Sequence, residues 1–178
     1  MKRHLFLTGP IGCGKSTAIQ SALGDRISQC GGFLTRRHRE PWLRFTVESP
    51  DGKGRVTFLD FISGKPEVDL AAFSESYLQG KILVLDEIGG IELLNPVFAS
   101  ALEAVLESDI SILGVIKGEG PAGALIEKLG LTEAYQQAAE RLRKKLGSDS
   151  HTLVYECTQY DENALRLARQ WREEYLHE

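Results

Sequence analysis

Short, uninterrupted apolar runs alternate along this chain with longer stretches in which apolar residues recur at helical spacing. Residues 3–8 contain Leu5-Phe6-Leu7, residues 81–85 contain Ile82-Leu83-Val84-Leu85, and residues 110–116 are nearly all apolar. Runs of this length without polar alternation fit strands buried on both faces of a parallel sheet. Residues 152–157 form the last predicted strand. Between the runs the period lengthens. Helices are predicted over 15–23, with Gly24 as a stop, and over 69–78, with Asp69 as cap and Gly80 beyond the end. Another is predicted over 95–107, with Asn95 as cap and Pro96 in the first position. Two more follow at about 122–129 and 132–146, and an amphipathic helix over 161–175 closes the chain.

The stretch from 32 to 62 has a different rhythm. Phe33-Leu34-Thr35 is rich in strand formers, and residues 43–48 and 55–61 alternate on either side of Ser49-Pro50-Asp51-Gly52. Alternation across a Pro-Asp-Gly turn signals an antiparallel hairpin. With 178 residues the chain fits one domain, residues 1–178. The hairpin is an insertion in it at about 32–62, and the helical stretch at about 118–148 is a candidate lid. Strands alternating with helices predict an α/β fold, a mainly parallel sheet with helices on both faces. Ligand is then expected at the carboxyl ends of the parallel strands.

Composition narrows the setting. Apolar residues make up 42% of the chain, enough for a core, and the net charge is −4. That balance argues against a surface built broadly for nucleic-acid backbone and leaves only a local basic patch open. Cys13, Cys30 and Cys157 are isolated, without metal-ligand spacing, so zinc and disulfide frameworks are not expected. Their isolation and the missing secretory pattern predict a cytoplasmic protein. No apolar run approaches a membrane span.

The chemistry concentrates in two places. Gly9-Pro10-Ile11-Gly12-Cys13-Gly14-Lys15-Ser16 reads G-x-x-x-x-G-K-S between a predicted strand and a predicted helix, the context a phosphate-binding loop needs. Glycines let backbone amides turn toward phosphate oxygens, and the helix start adds its positive dipole end. Lys15 is expected to reach the β- and γ-phosphates, Ser16 to hold Mg²⁺, and Thr17 to reach the α-phosphate. The second place is Leu83-Val84-Leu85-Asp86-Glu87. Asp86, at the end of a buried strand, suits holding Mg²⁺ through a water, and Glu87 suits a general base for the attacking water. Asp60 also ends an apolar stretch, but that stretch alternates as a hairpin strand does, so Asp86 is preferred.

Three segments carry a resemblance: Gly9 to Thr17, then Gly32-Phe33-Leu34-Thr35 with basic residues after it, then Leu85-Asp86-Glu87-Ile88-Gly89-Gly90-Ile91-Glu92-Leu93 followed by Phe98. In these the chain resembles the small nucleoside-triphosphatases known from thermophiles and, in animals, as cancer-related nucleoside-triphosphatase. The resemblance implies a three-layer P-loop NTPase sandwich and Mg²⁺-dependent hydrolysis of ATP, GTP and other nucleoside triphosphates. It makes Glu87 the base, Lys15 the γ-phosphate clamp, and Ser16 with Asp86 the magnesium pair. The chain departs from the family where Arg36 and Arg37 replace acids; Arg39 keeps the arginine position. The family's Asn-Arg pair after the last strand is missing from residues 158–163, and the stretch 117–150 is long.

A further cation at the γ-phosphate is expected, and Arg36, Arg37, Arg39, Arg44 and Lys117 are its candidates, with Arg39 and Lys117 preferred. Trp42 reads as a plug for the hairpin or a stacking surface for a base. The basic run Arg141-Leu142-Arg143-Lys144-Lys145 suits a lid, a protein-partner surface or simple helix decoration. Two other activities fit the same motifs. A nucleotide or nucleoside kinase shares the phosphate loop, but the acid next to Asp86 favours water as acceptor. A nucleotide-driven switch would act through a partner.

Overall fold

The computed structural model describes residues 1–117, 126–127, 129–159 and 161–176. The predicted loop at Gly118, Gly120, Pro121 and Gly123, and most of the predicted helix at 122–129, lie outside the described residues. The described strands are β1 (His4–Thr8), β2 (Gly31–His38), β3 (Arg44–Glu48), β4 (Arg55–Asp60), β5 (Glu67–Val68), β6 (Ile82–Ile88), β7 (Ser111–Ile116) and β8 (Thr152–Glu156). The helices are α1 (Lys15–Leu23), α2 (Pro96–Glu107), α3 (Thr132–Ser148) and α4 (Glu162–Tyr175).

All eight strands join one sheet in the order β5-β4-β3-β2-β6-β7-β1-β8. From β2 to β8 the neighbours are parallel, and from β2 outward to β5 they are antiparallel. β2 belongs to both parts. Gly31–Phe33 pairs with β6, whereas Leu34–His38 runs on beyond that edge and pairs with β3. The antiparallel ribbon therefore projects past the carboxyl end of the parallel strands.

The uninterrupted apolar runs are central strands because both faces of the sheet are covered. On one face, Phe6, Leu83, Leu85 and Ile112 pack with Phe98, Leu102 and Val105 of α2 and Tyr135, Ala139 and Leu142 of α3. On the other, Leu5, Leu7, Val84, Leu113 and Val115 pack with Ile19 and Ala22 of α1 and Ala164, Ala168 and Trp171 of α4. Period-2 alternation thus survives inside each run, sorting residues between two cores. The predicted cap at Asn95 is present, and Asp161 caps the closing helix. Asn95 Oδ1 accepts from the amides of Val97 and Phe98, and Asp161 Oδ1 accepts from those of Asn163 and Ala164.

One predicted helix is replaced. Residues 69–78 form two 3₁₀ turns, Leu70–Ala72 and Glu75–Leu78, after the short edge strand β5. The reason is side-chain competition for the backbone. Asp69 Oδ1 accepts from the Ala71 amide at 2.9 Å, and Ser74 Oγ accepts from the Ser76 amide at 3.2 Å. Ser74 so starts a new turn where the first helix would have continued. Trp42 is half-buried beside the ribbon. Its indole N–H donates to Asp60 Oδ1 at 2.8 Å, and the Arg44 guanidinium lies over its ring.

Candidate nucleotide site

β7 lies between β1 and β6, so the loop after β1 and the acids at the end of β6 flank the end of one strand. The loop after β1 turns through Gly9, Gly12 and Gly14, all at positive φ, a region open to glycine and costly for other residues. Gly14 is the left-handed residue from which α1 starts, and Ile11 stands 72% exposed at the loop's tip. The loop's amides and the start of α1 are therefore set at the sheet's carboxyl edge, where an anion is favoured. Lys15 is buried and curls over this loop. Its ammonium donates to Gly9 O at 2.9 Å, to Pro10 O at 2.6 Å and to Cys13 Sγ at 3.5 Å. Thr17 is exposed on the first turn of α1.

Ser16 and Asp86, 70 residues apart in the chain, meet directly. Ser16 Oγ donates to Asp86 Oδ1 at 2.7 Å. Asp86 is 2% exposed. Burial pushes its carboxyl up to about 6, against the Ser16 bond and the field of Arg36, while the adjacent Glu87 pushes it higher. Two hard oxygen donors at one spot beside a phosphate loop fit Mg²⁺, which keeps waters and phosphate oxygens for its other positions.

Glu87 follows at φ 66°, the one non-glycine residue at positive φ among the described residues. A side chain in that region costs on the order of 1–3 kcal/mol and persists where the surroundings impose it. Its Oε2 accepts from Thr35 Oγ1 of β2 at 3.4 Å. Arg36, next on β2, is fixed on two sides: Nη2 donates to Gln20 Oε1 of α1 at 3.1 Å, and Nε lies 3.8 Å from Glu48 Oε2 of β3.

The two preferred cations occupy other places. Arg39 is exposed beyond the end of β2 and makes no hydrogen bond or ion pair among the described residues. Lys117 is half-buried at the end of β7; its backbone amide donates to Ile88 O at 2.8 Å and its charge acts on buried Glu92. Arg143 of α3 donates to Lys117 O at 3.4 Å, so the basic run reaches the site's rear through one of its members. Thr35, Gln20 and Tyr135 were given no role from sequence. Thr35 follows the Gly-Phe-Leu segment, which was the available signal; Gln20 and Tyr135 sit on ordinary helical faces and offered none.

A phosphate loop on β1, one intervening strand and an acid pair ending a buried strand define an α/β P-loop NTPase. The model of the NTPase family matches residues 4–139. The chain belongs to that family, and nucleoside-triphosphatase activity comes with the membership. The chain is 30% identical over 159 residues to the mouse cancer-related nucleoside-triphosphatase homolog, an alignment covering 72% of this chain and 83% of that one. The solution structure of a human cancer-related nucleoside triphosphatase superposes with a TM-score of 0.59 at 28% identity, covering 94% of each chain. The crystal structure of THEP1 from Aquifex aeolicus shares the fold, with a TM-score of 0.64 at 18% identity over 92% of this chain and 95% of that one.

Proposed function

We propose that the protein hydrolyses nucleoside triphosphates, ATP and GTP among them, with Mg²⁺, to the diphosphate and phosphate, and that Glu87 is the general base. The observation that carries this is the contact of Ser16 with Asp86 at 2.7 Å, with Glu87 held next to it in a left-handed backbone. The loop from Gly9 to Thr17, through every amide but that of Pro10, which has no N–H, cradles the phosphates, and Lys15 moves from its carbonyl partners to the β- and γ-oxygens. Ser16 and Asp86 would hold the metal, which when bound would supply charge neutralisation at the phosphates. Glu87 orients a water and takes its proton as the water oxygen bonds to the γ-phosphorus and the bond to the bridging oxygen breaks. Arg36 is the cation best supported by position, because its field reaches Asp86 and its guanidinium is held by Gln20 and Glu48. Arg39 could replace it only by moving its exposed side chain inward, and Lys117 only by turning away from Glu92. The cytoplasm is the setting we favour, on three buried unpaired thiols. Among the described residues no helix is long and apolar enough to cross a membrane.

The test is phosphate release from ATP, GTP, CTP and UTP with and without Mg²⁺, for the parent protein and Glu87→Gln. Release without any acceptor, lost on chelation and reduced about 10²- to 10⁴-fold in Glu87→Gln with nucleotide binding kept, is the expected result. Unchanged turnover in Glu87→Gln would remove it from the mechanism.

A further inference from the structure

Beyond Glu87 the chain enters a short loop in which nearly every backbone polar group is tied down. Gly89 and Gly90 deliver both amides to one oxygen, Glu92 Oε1, at 2.5 and 2.8 Å. Ile88 O accepts from the Lys117 amide at 2.8 Å, and Gly89 O accepts from the Tyr135 hydroxyl at 3.1 Å. Glu92 itself is 2% exposed, in the 3₁₀ turn Ile91–Leu94. Burial raises its carboxyl, while the Gly90 and Gly89 amides and the Lys117 charge act against that rise. A buried carboxylate is costly unless bonded and compensated. Two amides in a turn can be satisfied by a neutral oxygen, so a plain turn does not require this acid.

We propose that Glu92 is a positioning residue for hydrolysis: gripping the Gly89 and Gly90 amides, it holds Glu87 in its left-handed conformation with the carboxylate at the Thr35–Asp86 edge. Glu87 is two residues before Gly89 and stands at φ 66° in an irregularity of β6, between Leu85 opposite Gly114 and Ile88 opposite Ile116. The clamped loop follows Ile88 at once and fixes the end of the strand just beyond that irregularity. The inference rests on the reading of Glu87 as base.

Gly90 allows the clamp to be disturbed from the opposite side. It sits at φ −107°, where alanine is unstrained. A Cβ there would come within 2.7 Å of Glu92 Oε2, and the nearest other atom is Lys117 Cδ at 3.5 Å. Gly90→Ala therefore displaces the carboxylate and little else.

The experiment measures kcat, KM, nucleotide binding and melting temperature with Mg·ATP for Glu92→Gln, Gly90→Ala, their double variant, Glu87→Gln, and Glu92→Gln in the Glu87→Gln background. The expected result is a fall in kcat of about 10- to 100-fold in Glu92→Gln and in Gly90→Ala, with KM within about threefold. The double variant falls no further than the worse single, since both disturb one contact. In the Glu87→Gln background, where no base remains to be aimed, Glu92→Gln costs nothing more. The proposal is overturned if kcat is unchanged in both single variants, or if Glu92→Gln costs the same factor in both backgrounds, as a merely structural brace would. If Glu92→Gln does not fold, Gly90→Ala with and without Glu87→Gln gives the same decision. Full turnover in Glu87→Gln would instead sink the base reading. Lost turnover there with normal kcat in both Glu92→Gln and Gly90→Ala sinks this inference alone.

Discussion

The two ends of β1 treat buried polar groups in opposite ways. At the carboxyl end, Lys15 is held by two carbonyls and a sulfur, Asp86 accepts from Ser16, and Glu92 accepts two amides. At the amino end, His4 is fully buried and neither ring nitrogen has a hydrogen-bond partner among the described residues. Its surroundings are well bonded: the Trp171 indole donates to Arg3 O at 2.9 Å, and the His4 amide donates to His151 O at 3.0 Å. Both ends contain groups whose burial opposes stability. Only at the carboxyl end do buried charged groups, Lys15 and Asp86, lean on carbonyls, a sulfur and a hydroxyl that a phosphate or a metal would replace on the proposed reading. Burial of a polar group alone therefore does not mark a site; burial together with exchangeable partners does.

Asp86→Asn is the strongest way to press this contrast. The Asp86 carboxyl is raised above its ordinary value to about 6, so the folded state binds the proton more tightly than the unfolded chain. Its ionisation therefore costs stability as pH rises from about 4 to 6, and the full cost is present at pH 7. Removing the charge is expected to raise stability in metal-free, nucleotide-free buffer by about 3 kcal/mol, seen as a higher melting temperature at pH 7 that vanishes near pH 4. Turnover is expected to fall by at least about 10²-fold, because on the proposed reading the carboxylate that would hold the metal is gone. A variant that is less stable at pH 7 than the parent would show that the charge is better compensated than burial implies.

Much of this end was legible because its chemistry is local. Residues 9–17 contain the glycines, lysine and hydroxyls of the cradle in one stretch, and Asp86-Glu87 directly follow an uninterrupted apolar run. The sheet was legible for the same reason, since each central strand announces itself by its own residues. What could not be read depends on register and on side-chain competition. That β2 carries Arg36 to Gln20 and Glu48, while Arg39 falls beyond the strand, follows from pairing with β6 and β3. The attraction of Lys117 to Glu92 follows from β7 lying beside β6. The helix expected at 69–78 dissolved because the short side chains of Asp69 and Ser74 bond the backbone locally. None of these is a property of spacing alone.

His4→Leu tests the other end, with a smaller expected effect. Leucine fills a comparable space and removes two nitrogens that have no partner, which is expected to stabilise the fold by about 1 kcal/mol, or about 2–4 °C in melting temperature. Turnover should stay at the parent value, because β1 places His4 at the edge away from the phosphate loop. The pH dependence separates a buried imidazole from a packing change. Burial lowers the His4 pKa; Asp149 and the backbone of Leu106 act against that, and Arg3 and His151 add to it. Between the lowered folded value and the ordinary 6.5, the unfolded chain binds a proton that the folded chain does not. This part of the parent's stability is therefore present above about pH 6.5 and declines on acidification, with a slope of at most about 1.4 kcal/mol per pH unit. In His4→Leu that contribution is absent, so the gap between variant and parent should widen from pH 7 to pH 5.5. A gap that stays constant would mean that His4 is protonated with equal ease in both states, and that its end of β1 is less sequestered from solvent than its packing indicates.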